Sequence, residues 1–268
     1  MTSPWNLATV LLLLSLMSMS SIASSDKVIN VYTYHDKPPY VIHQSNTHII
    51  QSGIYLELVS YLNRVDSEYQ YQLTYMPRVR LERLLKDKQL DGVIIGVNPL
   101  WFADKDKNKY LWSEPFMDDK DIFLVNAEST LNYKQASDLA GLTIALERGT
   151  YYKGISELIN QGEIELAATN SSQQNLNMLA YHRADITIMS QLSANYFFNH
   201  GYQRSLFKVL PQAHDFYQRF ILIPKSLKHI TKPINQALLK LNKTNDWLVQ
   251  FDNWLVYNDA ATDINEGR

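Results

Sequence analysis

No cysteine occurs among the 268 residues, which excludes a disulfide framework, a thiolate nucleophile or metal site, and a lipid-modified N-terminal Cys. A fold without cross-links is held by its core alone. A long cluster of basic residues is missing as well. With 25 Lys and Arg against 27 Asp and Glu, and a formal net charge of -2, the chain has no basic stripe of the kind that displaces counterions from phosphates, which argues against a nucleic-acid partner. The densest charge run, Asp104 to Lys109, alternates in sign and reads as a solvated loop. Beyond the N-terminus no apolar segment approaches membrane length.

What is present begins with an apolar run, Leu7 to Met19, followed by the small-x-small pattern Ser21-Ile22-Ala23. That arrangement predicts a secretory signal peptide over residues 1–23, although its first six residues carry no Lys or Arg; an uncleaved anchor is the alternative. The expected mature protein is free in the periplasm of a Gram-negative cell and monomeric.

From Val28 the elements alternate. A strand over Val28 to Tyr34 stops at His35-Asp36-Lys37-Pro38-Pro39-Tyr40, where two prolines force an extended turn. Helical spacing of Ile54, Leu58, Tyr61, Leu62 and Val65 follows, then a strand over Tyr71 to Tyr75, a helix opened by Pro77, and a buried strand over Asp91 to Val97. The same order recurs with strand Leu142 to Leu146, helix Tyr151 to Asn160, strand Ile164 to Ala168, helix Ser172 to His182, strand Asp185 to Met189 and helix Gln191 to Phe198. A strand over Phe216 to Ile223 and helices over Ile230 to Leu241 and Asn245 to Leu255 close the chain and are expected to return to the first unit. Two α/β units joined by two connections, near Phe116 to Phe123 and Ala213 to Tyr217, predict a hinge.

These segments, KPPY at Lys37 to Tyr40, GIYLELVSYL at Gly53 to Leu62, LDGVIIG at Leu90 to Gly96, SEPF at Ser113 to Phe116, DLAGLTIALERGT at Asp138 to Thr150 and HRADITIMS at His182 to Ser190, together resemble the extracellular solute-binding proteins of the polar amino-acid type (family 3), periplasmic receptors of ABC importers. The resemblance implies an α/β, two-lobed clamshell of the type II periplasmic-binding-protein kind, each lobe a mixed sheet flanked by helices, with two hinge strands. Lobe 1 would comprise 24–120 plus 217–268 and lobe 2 would comprise 121–216. A small polar ligand and a membrane permease are the implied partners.

Three positions depart from the family. An Arg that grips a ligand carboxylate is expected near Ala103, yet no Arg lies between Arg83 and Arg148; an Asp that pairs with the ligand ammonium is replaced by Ser190; the aromatic before the first proline is Lys37, with Tyr34 and Tyr40 nearby. Each charge-assisted hydrogen bond is worth about 1.5–3 kcal/mol, so an α-amino acid held in the usual way is disfavoured.

Other groups offer themselves. Gly149 and Thr150, between a strand and a helix starting at Tyr151, could present backbone N–H groups to an anion or carbonyl, the alternative being a plain turn. Arg148 or Arg80 could supply the missing cation, or face solvent like Arg78 and Arg83. Trp101, with Phe102, offers an aromatic wall or a core cap, Asn98 a polar contact or a turn, and Asp36, Tyr40 and Ser190 flank the same region. His35, His43 and His48 lack metal-site spacing, so neither a metal nor another cofactor is expected. A second class, a dehydratase-like enzyme on this scaffold, would need an acid or base, for which Glu147 and Asp36 are candidates; a sensory protein read by a receptor is the third.

Overall fold

The computed structural model describes residues 27–243 except 45, 46 and 48. The expected signal peptide and the helix Asn245 to Leu255 therefore lie outside the described residues. The backbone of the fold is one nine-stranded sheet in which two half-sheets meet at a pair of long strands.

In the first half, β1 (Lys27–Thr33) lies parallel between β4 (Tyr69–Tyr75) and β5 (Gly92–Val97). Every residue of β5, GVIIGV, is buried, as expected of a central parallel strand covered on both faces. Two short strands, β2 (Ile42–His43) and β3 (Ile50–Ser52), pair beside it. Helix α1 (Ile54–Val65) buries Ile54, Tyr55, Leu58, Val59 and Leu62; these positions share one helical face, which packs on one side of the half-sheet. Helix α2 (Arg78–Lys86) starts at Pro77 and buries Leu81 and Leu85 on the other side. Pro at such a boundary gives up only an N–H that has no helical partner.

The second half is built from β7 (Met117–Asn126), β8 (Thr143–Glu147), β9 (Glu165–Thr169) and β10 (Ile186–Ser190), ordered β7-β10-β8-β9. Its helices are α3 (Ile155–Asn160), α4 (Ser172–Ala180) and α5 (Gln191–Asn199), and its cores lie on both faces of this half-sheet. The long strand β11 (Phe207–Ile223) pairs with β7 from Phe207 opposite Asn126 to Arg219 opposite Met117, then continues antiparallel to β5 and to β6 (Leu111–Trp112). Helix α6 (Thr231–Lys243) buries Ile234, Ala237, Leu238 and Leu241 against the first half, returning as expected. Two strands thus cross between the halves, and the result is the mixed α/β, two-lobed architecture expected from the sequence.

Three elements differ from the expectation. The helix expected from Tyr151 begins only at Ile155, because Gly154 adopts φ +83° immediately before it. Strand β11 starts nine residues before the expected Phe216, at Phe207, and β7 runs on to Asn126, past the crossing expected near Phe116 to Phe123, although Asp118, Asp119, Lys120 and Asp121 interrupt its apolar pattern. The charge run from Asp104 to Lys109 is not uniformly solvated. Asp104 is 3% exposed and accepts hydrogen bonds from the backbone N–H of Asn108, Lys109 and Tyr110 and from Trp112 Nε1.

Candidate functional site

Beneath the junction of the halves lies Arg219, 2% exposed on β11. Its Nε and Nη2 donate to Asp119 Oδ2 on β7 at 3.2 and 2.9 Å, Nη1 to the Gly96 carbonyl at 2.8 Å and the Tyr55 hydroxyl at 3.2 Å, and Nη2 to the Tyr40 hydroxyl at 2.7 Å. The guanidinium also lies 4.1 Å from the ring centre of Tyr40, and farther from those of Tyr217 and Trp101, at 5.1 and 5.5 Å. Tyr40 donates in turn to Asp119. Gly96 makes this floor possible: φ is +80° there, and a Cβ would run into the Tyr55 hydroxyl.

The charges fix one another. Burial works against the charged guanidinium, but Tyr40, Tyr55, Tyr217 and Asp119 together hold the Arg219 pKa above its ordinary value. Burial raises the Tyr40 hydroxyl well above the usual range, and Asp119 adds to it. With all five N–H groups directed at partners, Arg219 ties the two crossing strands to the first lobe's aromatic residues.

Above this floor, His35 stacks on Tyr34 at 4.3 Å and faces Trp101 at 6.0 Å. Burial, then Arg219, Lys37 and Arg78, hold its imidazole well below the usual histidine value, so it is neutral near pH 7. Lys37 reaches across to Glu147 at the end of β8, with Nζ 3.7 Å from Oε1. The Ser172 hydroxyl donates to the same Glu147 oxygen at 2.5 Å. Asp121 carries a raised pKa from burial, opposed by Lys37, and accepts from the Tyr217 hydroxyl at 3.0 Å. Burial also raises Tyr152, reinforced by Asp121 and Glu147. The lobes touch a second time where Ser193 Oγ on α5 donates to the Pro38 carbonyl at 2.7 Å, and Leu192 beside it packs into the first lobe's core. Contacts from both lobes therefore bridge the cleft.

The residues read from the sequence are distributed unevenly around this cluster. Tyr40 and Trp101 belong to it. Glu147 lies in it, with Gly149 and Thr150 following on the exposed loop; Thr150 donates from both N–H and Oγ1 to the Glu147 carbonyl. With α3 beginning at Ile155, this loop does not form a helix N-terminus, which corrects the dipole argument made for it. Arg148 is exposed and donates to Asn170; Arg80 is exposed on α2, its charge felt by Tyr32. Arg78, and not Arg80, is the inward one, donating to the Trp101 carbonyl at 2.7 Å and lying over Tyr34 and Phe102. Tyr151 is exposed and donates to Glu157. Asn98 and Ser190 are spent on the backbone: Asn98 caps the 3-10 turn Pro99–Phe102 and donates to the Gln218 carbonyl, and Ser190 caps α5. Asp36 pairs with His43, away from His35, and His48 lies outside the described residues.

Arg219, Asp119 and Tyr217 were missed. One signal in the sequence could have found them: an Arg, with Gln218 beside it, between the apolar residues Phe216-Tyr217 and Phe220 to Ile223, just after the second expected hinge crossing. Buried Arg demands a partner, and the acidic run Asp118 to Asp121 at the first crossing supplies it.

Among the described residues no helix is long and apolar enough to cross a membrane, and no group of three or more His, Asp or Glu is arranged to hold a metal. No family model and no curated protein matches the chain. Solved structures do match. A mutant of ArgBP from T. maritima superposes with a TM-score of 0.64 at 21% identity, over 85% of this chain and 94% of that one. The GluR0 ligand-binding core from Nostoc punctiforme, in complex with (L)-glutamate, gives 0.64 at 19% identity, over 84% and 98%. The ancestral amino-acid-binding protein AncCDT-1, a precursor of cyclohexadienyl dehydratase, gives 0.62 at 16% identity, over 85% and 95%. The chain has the two-lobed fold that these amino-acid-binding proteins share.

Proposed function

We propose that the protein is a periplasmic solute-binding protein of the polar amino-acid type, which encloses a small polar solute between its lobes and delivers it to the permease of an ABC importer. The lobes in this reading comprise 24–120 plus 217–268 and 121–216. The observation that carries it is the pair of contacts across the cleft, Lys37 to Glu147 and Ser193 to the Pro38 carbonyl, above two crossing strands: a ligand that adds contacts to both lobes favours this closed arrangement. The resemblance of the sequence motifs and the likeness to ArgBP and the GluR0 core support the same reading.

The ligand is amino-acid-like in size but is not gripped by a free guanidinium, because Arg219 is neutralised by Asp119 and saturated with acceptors. Lys37, Trp101, Glu147 and the Arg148-Gly149-Thr150 loop are the groups left to meet it, with Tyr34 and His35 as the aromatic wall. A thermal-shift screen of amino acids, amines and small amides tests the proposal. A true ligand at 100 times its Kd stabilises by about 2.7 kcal/mol, and Glu147→Gln should abolish that shift. Steady consumption of a screened compound, in place of saturable binding, would instead assign Glu147 to acid–base chemistry and overturn the binding role. A screen without any hit, repeated on protein unfolded and refolded to remove a bound solute, would overturn it too.

A further inference from the structure

On the face of the crossing strands away from Arg219, a cavity of about 600 Å³ opens between α5 and β11. Its origin is local: the pairing of β11 with β7 shifts register between Val209 and Ala213 and again between Ala213 and Asp215, and such bulges bend a strand away from its partner and re-aim its side chains. The cavity is lined by Phe198, Phe216, Lys120 and Arg204, with the amides of Gln191 and Asn195. Lys120 lies 5.6 Å over the ring of Phe216, and Arg204 lies 5.0 Å over that of Phe198.

Three features distinguish this place from an ordinary surface hollow. The volume falls in the range of small-molecule pockets, roughly 300–1,000 Å³. Among the described residues no Asp or Glu lines it, and neither Lys120 nor Arg204 takes part in an ion pair. Phe216, an aromatic residue 72% exposed, stands at it. Asp119 and Asp121 project to the Arg219 side of the strand, as alternation requires; Asp118, two residues along on the face of Lys120, accepts from Gln218, and Asp215 accepts from the Phe216 N–H. Two cations outside any ion pair among the described residues, Arg204 bonded only to the Phe207 carbonyl, beside exposed and buried rings suit a ligand with a carboxylate at one end and a flat apolar body at the other.

We infer that this cavity is a second ligand site, separate from the cleft, for a small aromatic carboxylate. The carboxylate pairs with Lys120 and Arg204, and the ring packs against Phe216. The test is isothermal titration of the full chain with benzoate and 2-naphthoate, at fixed low salt. Saturable binding at or below about 1 mM is expected, tighter for naphthoate because more apolar area is buried, and weakened about ten-fold or more by Lys120→Gln or Arg204→Gln, as loss of a charge-assisted hydrogen bond requires. Arg204→Lys should retain part of the affinity, and equal melting temperatures of the variants and the parent establish that folding is intact. Glu147→Gln and Lys37→Gln should leave naphthoate binding unchanged. Overturning results are absence of binding at these concentrations, equal affinity for neutral benzamide, or loss of binding in the cleft variants in place of the Lys120 and Arg204 variants.

Discussion

Arg219 and Asp104 are two charges that the sequence displays openly and that only the tertiary structure explains. Both are buried, and both are satisfied by many partners at once. Removing one member of a buried pair leaves the other charge uncompensated, at a cost of about 3–5 kcal/mol. Arg219→Ala should therefore lower the unfolding free energy by about that amount in urea titration, and Arg219→Lys should recover little of it, since an ammonium cannot reach Gly96, Tyr55, Tyr40 and Asp119 together. An effect below about 1 kcal/mol would mean that the aromatic residues and not the ion pair fix this floor. Asp104 offers a pH test. Burial opposes its ionisation, but bonds from Lys109, Trp112, Tyr110 and Asn108 outweigh it and hold the carboxyl below the ordinary value of 3.8. A depressed carboxylate contributes stability that is present above 3.8 and lost as pH falls through its folded value. Asp104→Asn should thus be less stable at neutral pH and show a smaller acid loss below pH 4. The charge run around Asp104 looked solvated in the sequence because sign alternation carries no information on which carboxylate turns inward.

Elements were legible where their pattern was regular. Helix α1 and strand β5 could be read from spacing alone, because one has five buried positions on a single face and the other is apolar throughout. The crossing strands were legible only in part: Phe216 to Ile223 reads as a strand, but Pro211 and the bulges break the start of β11 and four charged residues break β7. The site suffered for the same reason: a search for a guanidinium after β5 could not find one supplied by β11, more than a hundred residues later. Helix α5 shows a further property that spacing does not reveal. It belongs to the second half-sheet, yet Leu192 and Ser193 at its start engage the first lobe. A neutral hydrogen bond is worth about 0.5–1.5 kcal/mol, so Ser193→Ala should shift the ligand-free protein toward the open form by that amount while leaving the fold intact. Small-angle scattering should report a larger radius of gyration for this variant, restored to the parental value by saturating ligand. Identical scattering curves without ligand would remove Ser193 from the closing contacts.

At the scale of the whole molecule, His35 offers a test of whether closure and protonation are coupled. Its imidazole is packed between Tyr34, Tyr40, Tyr55 and Trp101, with Arg219 bonded to its Nε2 at 3.3 Å and Lys37 and Arg78 adding positive charge. Asp119 and Asp121, the acids of the crossing strand, are held by Arg219 and by Tyr217. A histidine whose folded pKa is depressed contributes stability above its unfolded value of 6.5, which drains away as pH falls toward the folded value. Asp121 acts in the opposite sense: its raised pKa makes the folded state gain stability as pH drops from the folded value toward 3.8. The two groups therefore pull the folded state in opposite directions as the pH falls, and His35→Gln isolates the histidine's part of the balance. Relief of the histidine needs only that the lobes part and water reach the ring, a smaller change than unfolding. Acidification from pH 7 to about 5 should consequently open the ligand-free protein, seen as a rising radius of gyration without loss of far-ultraviolet circular dichroism. His35→Gln, which cannot be protonated, should remain closed across that range. If the parent stays closed as well, the imidazole is reached by water in the closed state and does not link pH to the motion of the lobes.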